Sequence, residues 1–308
     1  EYIENPAKVS FPWSMIDKIT PRPDASVKKM LEDAGFTDTE SIVTSKNTYV
    51  APFVNAEEAQ YLVIENAFPN GRPALENAGV MFTSRETVEK VERMKVCTCL
   101  NPLHTALAVY GCLLGYTKIS DEMKDADLVK LVEIIGYKEG LPVVTDPGIL
   151  SPKKFIDEVL QIRVPNPFMP DTPQRIACDT SQKLSIRFGE TIKEYMASSE
   201  LDVKSLKFIP MVQAGWCRYL LGVDDELNAF TVSPDPMYEE LAGKLAGVKV
   251  GESCDVHAVL SPILSDAKIF GVNLYEAGLG EYVESIFAEL IAGKGAVRET
   301  LKRHLAEA

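Results

Sequence analysis

The 308-residue sequence is poor in basic side chains, in histidine and in paired cysteine motifs. Its 32 lysines and arginines stand against 45 acidic residues, a net charge of -13. Such a surface repels phosphate backbones and anionic headgroups, so neither nucleic acid nor a membrane is an expected partner. A cationic pocket for a small anion stays compatible with it, because net charge does not describe the inside of a cleft. The six cysteines include no Cys-x-x-Cys pair, and reduced thiols in a cytoplasmic protein are the expectation. No unbroken apolar run reaches the roughly 18 residues of a bilayer span. The sequence also lacks Gly-x-Gly-x-x-Gly after a strand, the phosphate-binding P-loop and His-Glu-x-x-His. Its nearest glycine clusters, Gly278-Leu279-Gly280 and Gly293-Lys294-Gly295, lie late in the chain and read as helix-to-helix turns.

What is present is an ordinary globular mixture, 46% hydrophobic and 25% charged, in a chain long enough for a large core. The first ninety residues read as mixed α/β. Ser26 to Ala34 predicts a short amphipathic helix ended by Gly35, and Ser41 to Thr44 and Tyr61 to Ile64 predict short strands. From Ser84 onward, apolar residues recur at spacings of three and four. Helices are expected within Ser84–Tyr116, Lys153–Ile162, Pro173–Ser198, Val203–Gly222, Pro236–Ala246 and Gly280–Ala306. The boundary between the two regimes is placed near residue 90.

Five segments, in order along the chain, carry a resemblance. They are Phe11-Pro12-Trp13-Ser14-Met15-Ile16-Asp17-Lys18-Ile19-Thr20-Pro21, then Val63-Ile64-Glu65-Asn66-Ala67-Phe68 with Gly71-Arg72-Pro73. Glu92-Arg93-Met94-Lys95 follows, running into Leu100-Asn101-Pro102-Leu103-His104, and then Asn166-Pro167 with Asp171-Thr172-Pro173-Gln174-Arg175-Ile176-Ala177. Asp179 with Lys183 completes the set. From Phe11 to Lys183 the sequence resembles the mannitol dehydrogenase family of zinc-independent long-chain polyol dehydrogenases, which includes mannitol 2-dehydrogenases and fructuronate and tagaturonate reductases. The Phe-Pro-x-x-Met-x-Asp segment argues against the 6-phosphogluconate type of dehydrogenase itself.

The resemblance implies the end of an α/β Rossmann-type domain over residues 1–90. It also implies a mainly helical, 6-phosphogluconate-dehydrogenase-like substrate domain over residues 91–308. Family members carry a dinucleotide-binding domain before the Phe-Pro segment, so the sequence is expected to begin near that domain's end. Cofactor-binding residues are then not expected here, and the choice between NAD and NADP is not readable. The implied activity is metal-independent interconversion of a polyol or aldonate with its ketose or keto-uronate, in a monomer or homodimer. A substrate-binding or dimerisation module without cofactor is the competing class, and nicotinamide binding by the full gene product separates the two.

By the same resemblance Lys95 aligns with the catalytic lysine, Asn101 with the oxyanion-stabilising asparagine and His104 with a histidine that binds a substrate hydroxyl. Arg175 and Lys183 match substrate-binding residues, and Asp17 matches an aspartate that relays the lysine's proton. These types suit the chemistry. Burial lowers a lysine ammonium toward the range of a general base, and an amide is a neutral donor of fixed direction. Competing readings are an ion-pair ladder of Arg175 and Lys183 with Asp179, and a turn-forming Asp17 before Ile19-Thr20-Pro21. Cys97, Cys99 and His104 lack structural-zinc spacing, and the two cysteines read as core thiols. Asn166 and Arg72 read as loop-ordering, and Trp216 with Tyr219 as core. For a substrate carboxylate, Lys18, Arg22 and Arg72 are candidates by charge alone.

The spacing departs from the family. There the lysine lies five residues before the asparagine and eight before the histidine; here the separations are six and nine. At about 100° per residue, nine residues put Lys95 roughly 180° from His104, whereas eight leave about 80°. A continuous α-helix therefore cannot build the site. Either a π-bulge absorbs the extra residue, or a helix restarts with Asn101 as N-cap and Pro102 at its first position. A break or bulge within residues 95–102 is predicted.

Overall fold

A computed structural model of the chain describes residues 1–18, 23–54, 56, 61–169 and 171–308, the side chain of Asp17 excepted. Its strands lie in the first part: β1 (Ser14–Asp17), β2 (Ile42–Val43), β3 (Tyr49–Val50), β4 (Tyr61–Glu65) and β5 (Met81–Thr83). β1 runs antiparallel to β4, with Asp17 opposite Tyr61, and β4 runs parallel to β5. β2 and β3 form a separate hairpin. Helix α1 (Ala25–Asp33) stands where the pattern predicts it, capped by Asp24 and followed by Gly35 at φ 88°.

Helix α2 (Arg85–Met94) starts on the Ser84 side chain, which accepts the Thr87 N–H at 3.2 Å. Its buried Val88 and Val91 pack on Met15 and Val63, which locks α2 against β1 and β4. α3 (Asn101–Leu113) is buried on almost every side, as expected of a helix apolar all round. Together they make one helical run of 29 residues, Arg85–Leu113, apolar and long enough to cross a membrane by composition alone. No unbroken apolar stretch marks it in the sequence, because Asn101 and His104 interrupt the run. Within the fold it is a core helix, 83% of its apolar window being buried.

Around α3 lie α4 (Ile119–Glu122), α5 (Ala126–Glu133), α6 (Pro152–Glu158), α7 (Pro173–Ile176) and α8 (Glu190–Ala197). The remainder comprises α9 (Phe208–Tyr219), α10 (Tyr238–Leu245), α11 (Val256–Leu264), α12 (Ala267–Phe270), α13 (Gly280–Leu290) and α14 (Ala296–Ala306). α9, wholly buried, packs against α3 and α13. Buried carboxylates organise two helix starts. Glu139 accepts the Lys207, Phe208 and Ile209 N–H groups at 2.7–2.8 Å, and Asp225 accepts those of Val297 and Arg298. Negative charge at a helix N-terminus meets its unpaired donors and its dipole together.

The helical stretches read from periodicity are present, but several are broken, Val203–Gly222 among them, where a 3-10 turn at Val203–Ser205 precedes α9. Pro173–Ser198 is not one helix: Asp179 turns to φ 53° and gives its N–H to Pro234 O at 2.8 Å. Gly280–Ala306 divides at Gly293 and Gly295, as their reading as a helix-to-helix turn requires. Four π-helical turns occur among the described residues, at Lys95–Cys99, Ile134–Gly140, Val159–Arg163 and Ser185–Gly189. The first packs against both the second and the fourth.

Candidate functional site

The run from Lys95 to His104 leaves α-helical geometry where the spacing demands it. Lys95 opens the π turn, and the Leu100 N–H reaches back five residues to Lys95 O at 3.1 Å. Leu100 then kinks to φ -130°, ψ -61°, and α3 begins. Bulge and restart thus occur together rather than as alternatives. In one detail the expectation shifts: Leu100 is the cap residue and Asn101 the first residue of α3, so the Asn101 side chain does not cap the helix. Among the described residues its amide has no hydrogen-bond partner. Asn101 and His104, three apart on α3, share a face. Lys95, Asn101 and His104 are each partly buried.

α7 packs along α3, and the π turn Ser185–Gly189 packs against both α3 and the π turn Lys95–Cys99. Arg175, in α7, is 69% exposed at its side chain and forms a two-pronged pair with Asp171, Nε to Oδ1 at 2.6 Å. That pairing raises the already high pKa of its guanidinium. The acidic partner is therefore Asp171 and not Asp179. Nor do Arg175 and Lys183 stand on one helix, since the turn at Asp179 folds the chain back. Lys183 Nζ consequently reaches the end of α7, donating to Cys178 O and to Ile176 O at 3.5 Å. Burial, then the charge of Arg187, lowers the pKa of this ammonium.

Arg187 was not singled out from the sequence, and its π turn brings it to the same place. Its Nη1 donates to Thr105 Oγ1 at 2.7 Å, and that hydroxyl donates to Asn101 O at 3.0 Å. The available signal was its position four residues after Lys183, which on a broken backbone means little without coordinates. Asp17 ends β1, the strand against which α2 packs. Its side chain, the turn Ile19-Thr20-Pro21 and Arg22 lie outside the described residues.

Other residues named from the sequence fall into place as structural. Cys97 and Cys99 are core thiols, pushed up by burial to about 11 and about 12. Asn166 Oδ1 accepts the Phe168 N–H at 3.0 Å and closes an Asn-Pro turn. Arg72 orders its loop through Asn66, Pro73 O and Glu76, and its guanidinium lies over the Phe82 ring. Trp216 and Tyr219 are core residues. His257 and His304 meet Glu284 and Glu289, each at 2.8 Å.

Comparison with known proteins places the chain as a whole. A family model described as the mannitol dehydrogenase C-terminal domain matches residues 87–286. The chain is 60% identical over 306 residues to a D-mannonate oxidoreductase of Thermotoga maritima, covering 98% of this chain and 56% of that protein. It is 31% identical to a mannitol 2-dehydrogenase of Aspergillus niger, over 85% of this chain and 51% of that one. Among solved structures, it matches the Pseudomonas fluorescens mannitol 2-dehydrogenase ternary complex with NAD and D-mannitol with a TM-score of 0.75 at 26% identity. That match covers 98% of this chain and 56% of the other. The chain spans about half the length of the relatives it matches.

Proposed function

The chain belongs to the mannitol dehydrogenase family, and on that premise we propose that it forms the substrate-holding part of an NAD- or NADP-dependent oxidoreductase. The reaction is the interconversion of a polyol or aldonate with its ketose or keto-uronate. The observation that carries this reading is the π turn Lys95–Cys99. It absorbs the one residue by which the lysine is too far from the asparagine and histidine for a common face.

In this reading Lys95 takes the proton of the reacting hydroxyl as general base. Asn101 donates its amide to the oxygen as negative charge develops there, which suits an amide without a partner among the described residues. His104 hydrogen-bonds a substrate hydroxyl, and Arg175 and Lys183 flank the bound chain. Asp17, on the strand against α2, passes the lysine's proton onward. The nicotinamide, when bound, supplies the acceptor or donor of hydride. The residues described fit the substrate side of that chemistry. Both glycine clusters join helices and neither leaves a strand.

Residues 1–90 are read as the end of a dinucleotide-binding domain and residues 91–308 as the helical substrate domain of the 6-phosphogluconate-dehydrogenase-like type. The parallel β4–β5 pair supports this, as do the exposed apolar side chains of Phe11, Ile16, Ile42 and Val43, on which a further layer can pack. A cytoplasmic monomer or homodimer remains the expectation. The test is turnover of the full-length gene product with mannitol, fructose, mannonate, fructuronate and tagaturonate under NAD and NADP. Activity with one pair is expected, and no turnover with any of them overturns the reaction. Lys95→Ala is expected to lower kcat about 10²- to 10⁴-fold; an unchanged kcat overturns the base assignment.

A further inference from the structure

We propose that the Arg187 guanidinium receives the carboxylate of the substrate, so that this site takes a sugar acid in preference to a neutral polyol. The inference rests on the reading just given and deepens it. Arg187 sits beside the residues assigned to the chemistry. Its partner Thr105 follows His104 directly and lies one turn beyond Asn101, whose carbonyl that hydroxyl also meets.

What sets Arg187 apart is the absence of compensation. Among the described residues Arg72, Arg85, Arg93, Arg175, Arg298 and Arg303 each meet a carboxylate. Arg218, fully buried, donates to three backbone carbonyls instead. Arg187 is largely buried, enough to bring its pKa down to about 10, yet among the described residues its acceptor is a single hydroxyl. A guanidinium has five N–H donors in a planar fork, and a buried charge without an opposite charge is costly. Lys183 adds a second cation four residues away, itself lowered by Arg187. Two desolvated cations gathered in a chain of net charge -13 run against its overall balance. A carboxylate supplies both the charge and the two parallel acceptors that the fork matches; polyol hydroxyls supply no charge. Of the cations named from the sequence by charge, Arg72 is already paired with Glu76.

The experiment uses the full-length enzyme with D-mannonate and D-mannitol as probes. The native enzyme is expected to prefer the acid. Arg187→Gln is expected to raise KM for D-mannonate about 10- to 100-fold, the loss of a charge-assisted pair, with a smaller change in kcat. Arg187→Lys, which keeps the charge but not the fork, is expected to recover part of that loss. Unchanged KM for the acid in Arg187→Gln overturns the proposal. So does a native enzyme that turns over D-mannitol and not D-mannonate, while leaving the dehydrogenase reading intact. Turnover of neither by the native enzyme brings down that reading as well. If Arg187→Gln does not fold, the native preference and the Arg187→Lys split decide.

Discussion

Glu122→Gln is expected to gain stability over the native chain as pH rises from 5 to 8. Glu122 ends α4 in complete burial, and neither of its carboxyl oxygens has a hydrogen-bond partner among the described residues. It lies against the backbone of α3: a Cβ on Gly111 would stand 2.2 Å from Glu122 Oε1. Burial, with the charge of Asp125 second, pushes its pKa from 4.5 up to about 9. The neighbouring Cys112 thiol is itself raised to about 12 and stays protonated, while Asp125 is held ionised by Arg298 and Tyr116. Between those two pKa values the folded chain keeps a proton that the unfolded chain has released. Stability from this group is therefore fully present below about 4.5 and falls with rising pH until about 9, where the folded state ionises too. The slope is about 1.4 kcal/mol per pH unit, so three units amount to about 4 kcal/mol. Glutamine keeps the shape and removes the titration. Urea midpoints of the native protein and the variant at pH 5, 6.5 and 8, with a common slope in denaturant, measure the difference. Curves that stay parallel within about 1 kcal/mol across that range refute the reasoning.

Two further substitutions separate support from chemistry. Arg175→Ala removes an exposed ion pair with Asp171 and is expected to cost under about 1 kcal/mol of stability, while raising substrate KM about tenfold or more; thermal denaturation beside steady-state kinetics checks both. Gly189→Ala would place a Cβ 2.2 Å from Phe270 O, a backbone atom that cannot step aside cheaply. It is expected to destabilise by about 1–3 kcal/mol and to weaken sugar-acid binding by shifting the turn that carries Arg187, read as a lower melting temperature with a raised KM.

Much of the helical framework was legible because an apolar period of 3.6 has one structural meaning when it persists over several turns. The periods fail where the chain is short or buried all round. α4, α5, α11 and α12 went unread, and β3 and β5, two and three residues long, carry too few positions for a pattern. Asp179 is a different case. Nothing local to it forbids helix, and its left-handed turn is stabilised by a hydrogen bond to Pro234, 55 positions away in the sequence. The competing ion-pair reading placed Arg175 beside Asp179 for the same reason: Asp171 and Asp179 are equally spaced from it, and the structure pairs it with Asp171.

By itself the sequence determined the residue identities between Lys95 and His104 and the incompatibility of their spacing with a continuous α-helix. That incompatibility is arithmetic on a fixed helical period, and the π turn answers it. Only the tertiary structure decided that bulge and restart occur together, that Lys183 folds back onto the end of α7, and that Arg187 lies beside Asn101 with no opposite charge among the described residues. Those outcomes depend on burial and on contacts between segments some 55 to 80 residues apart, where desolvation and pairing settle what a charged side chain does.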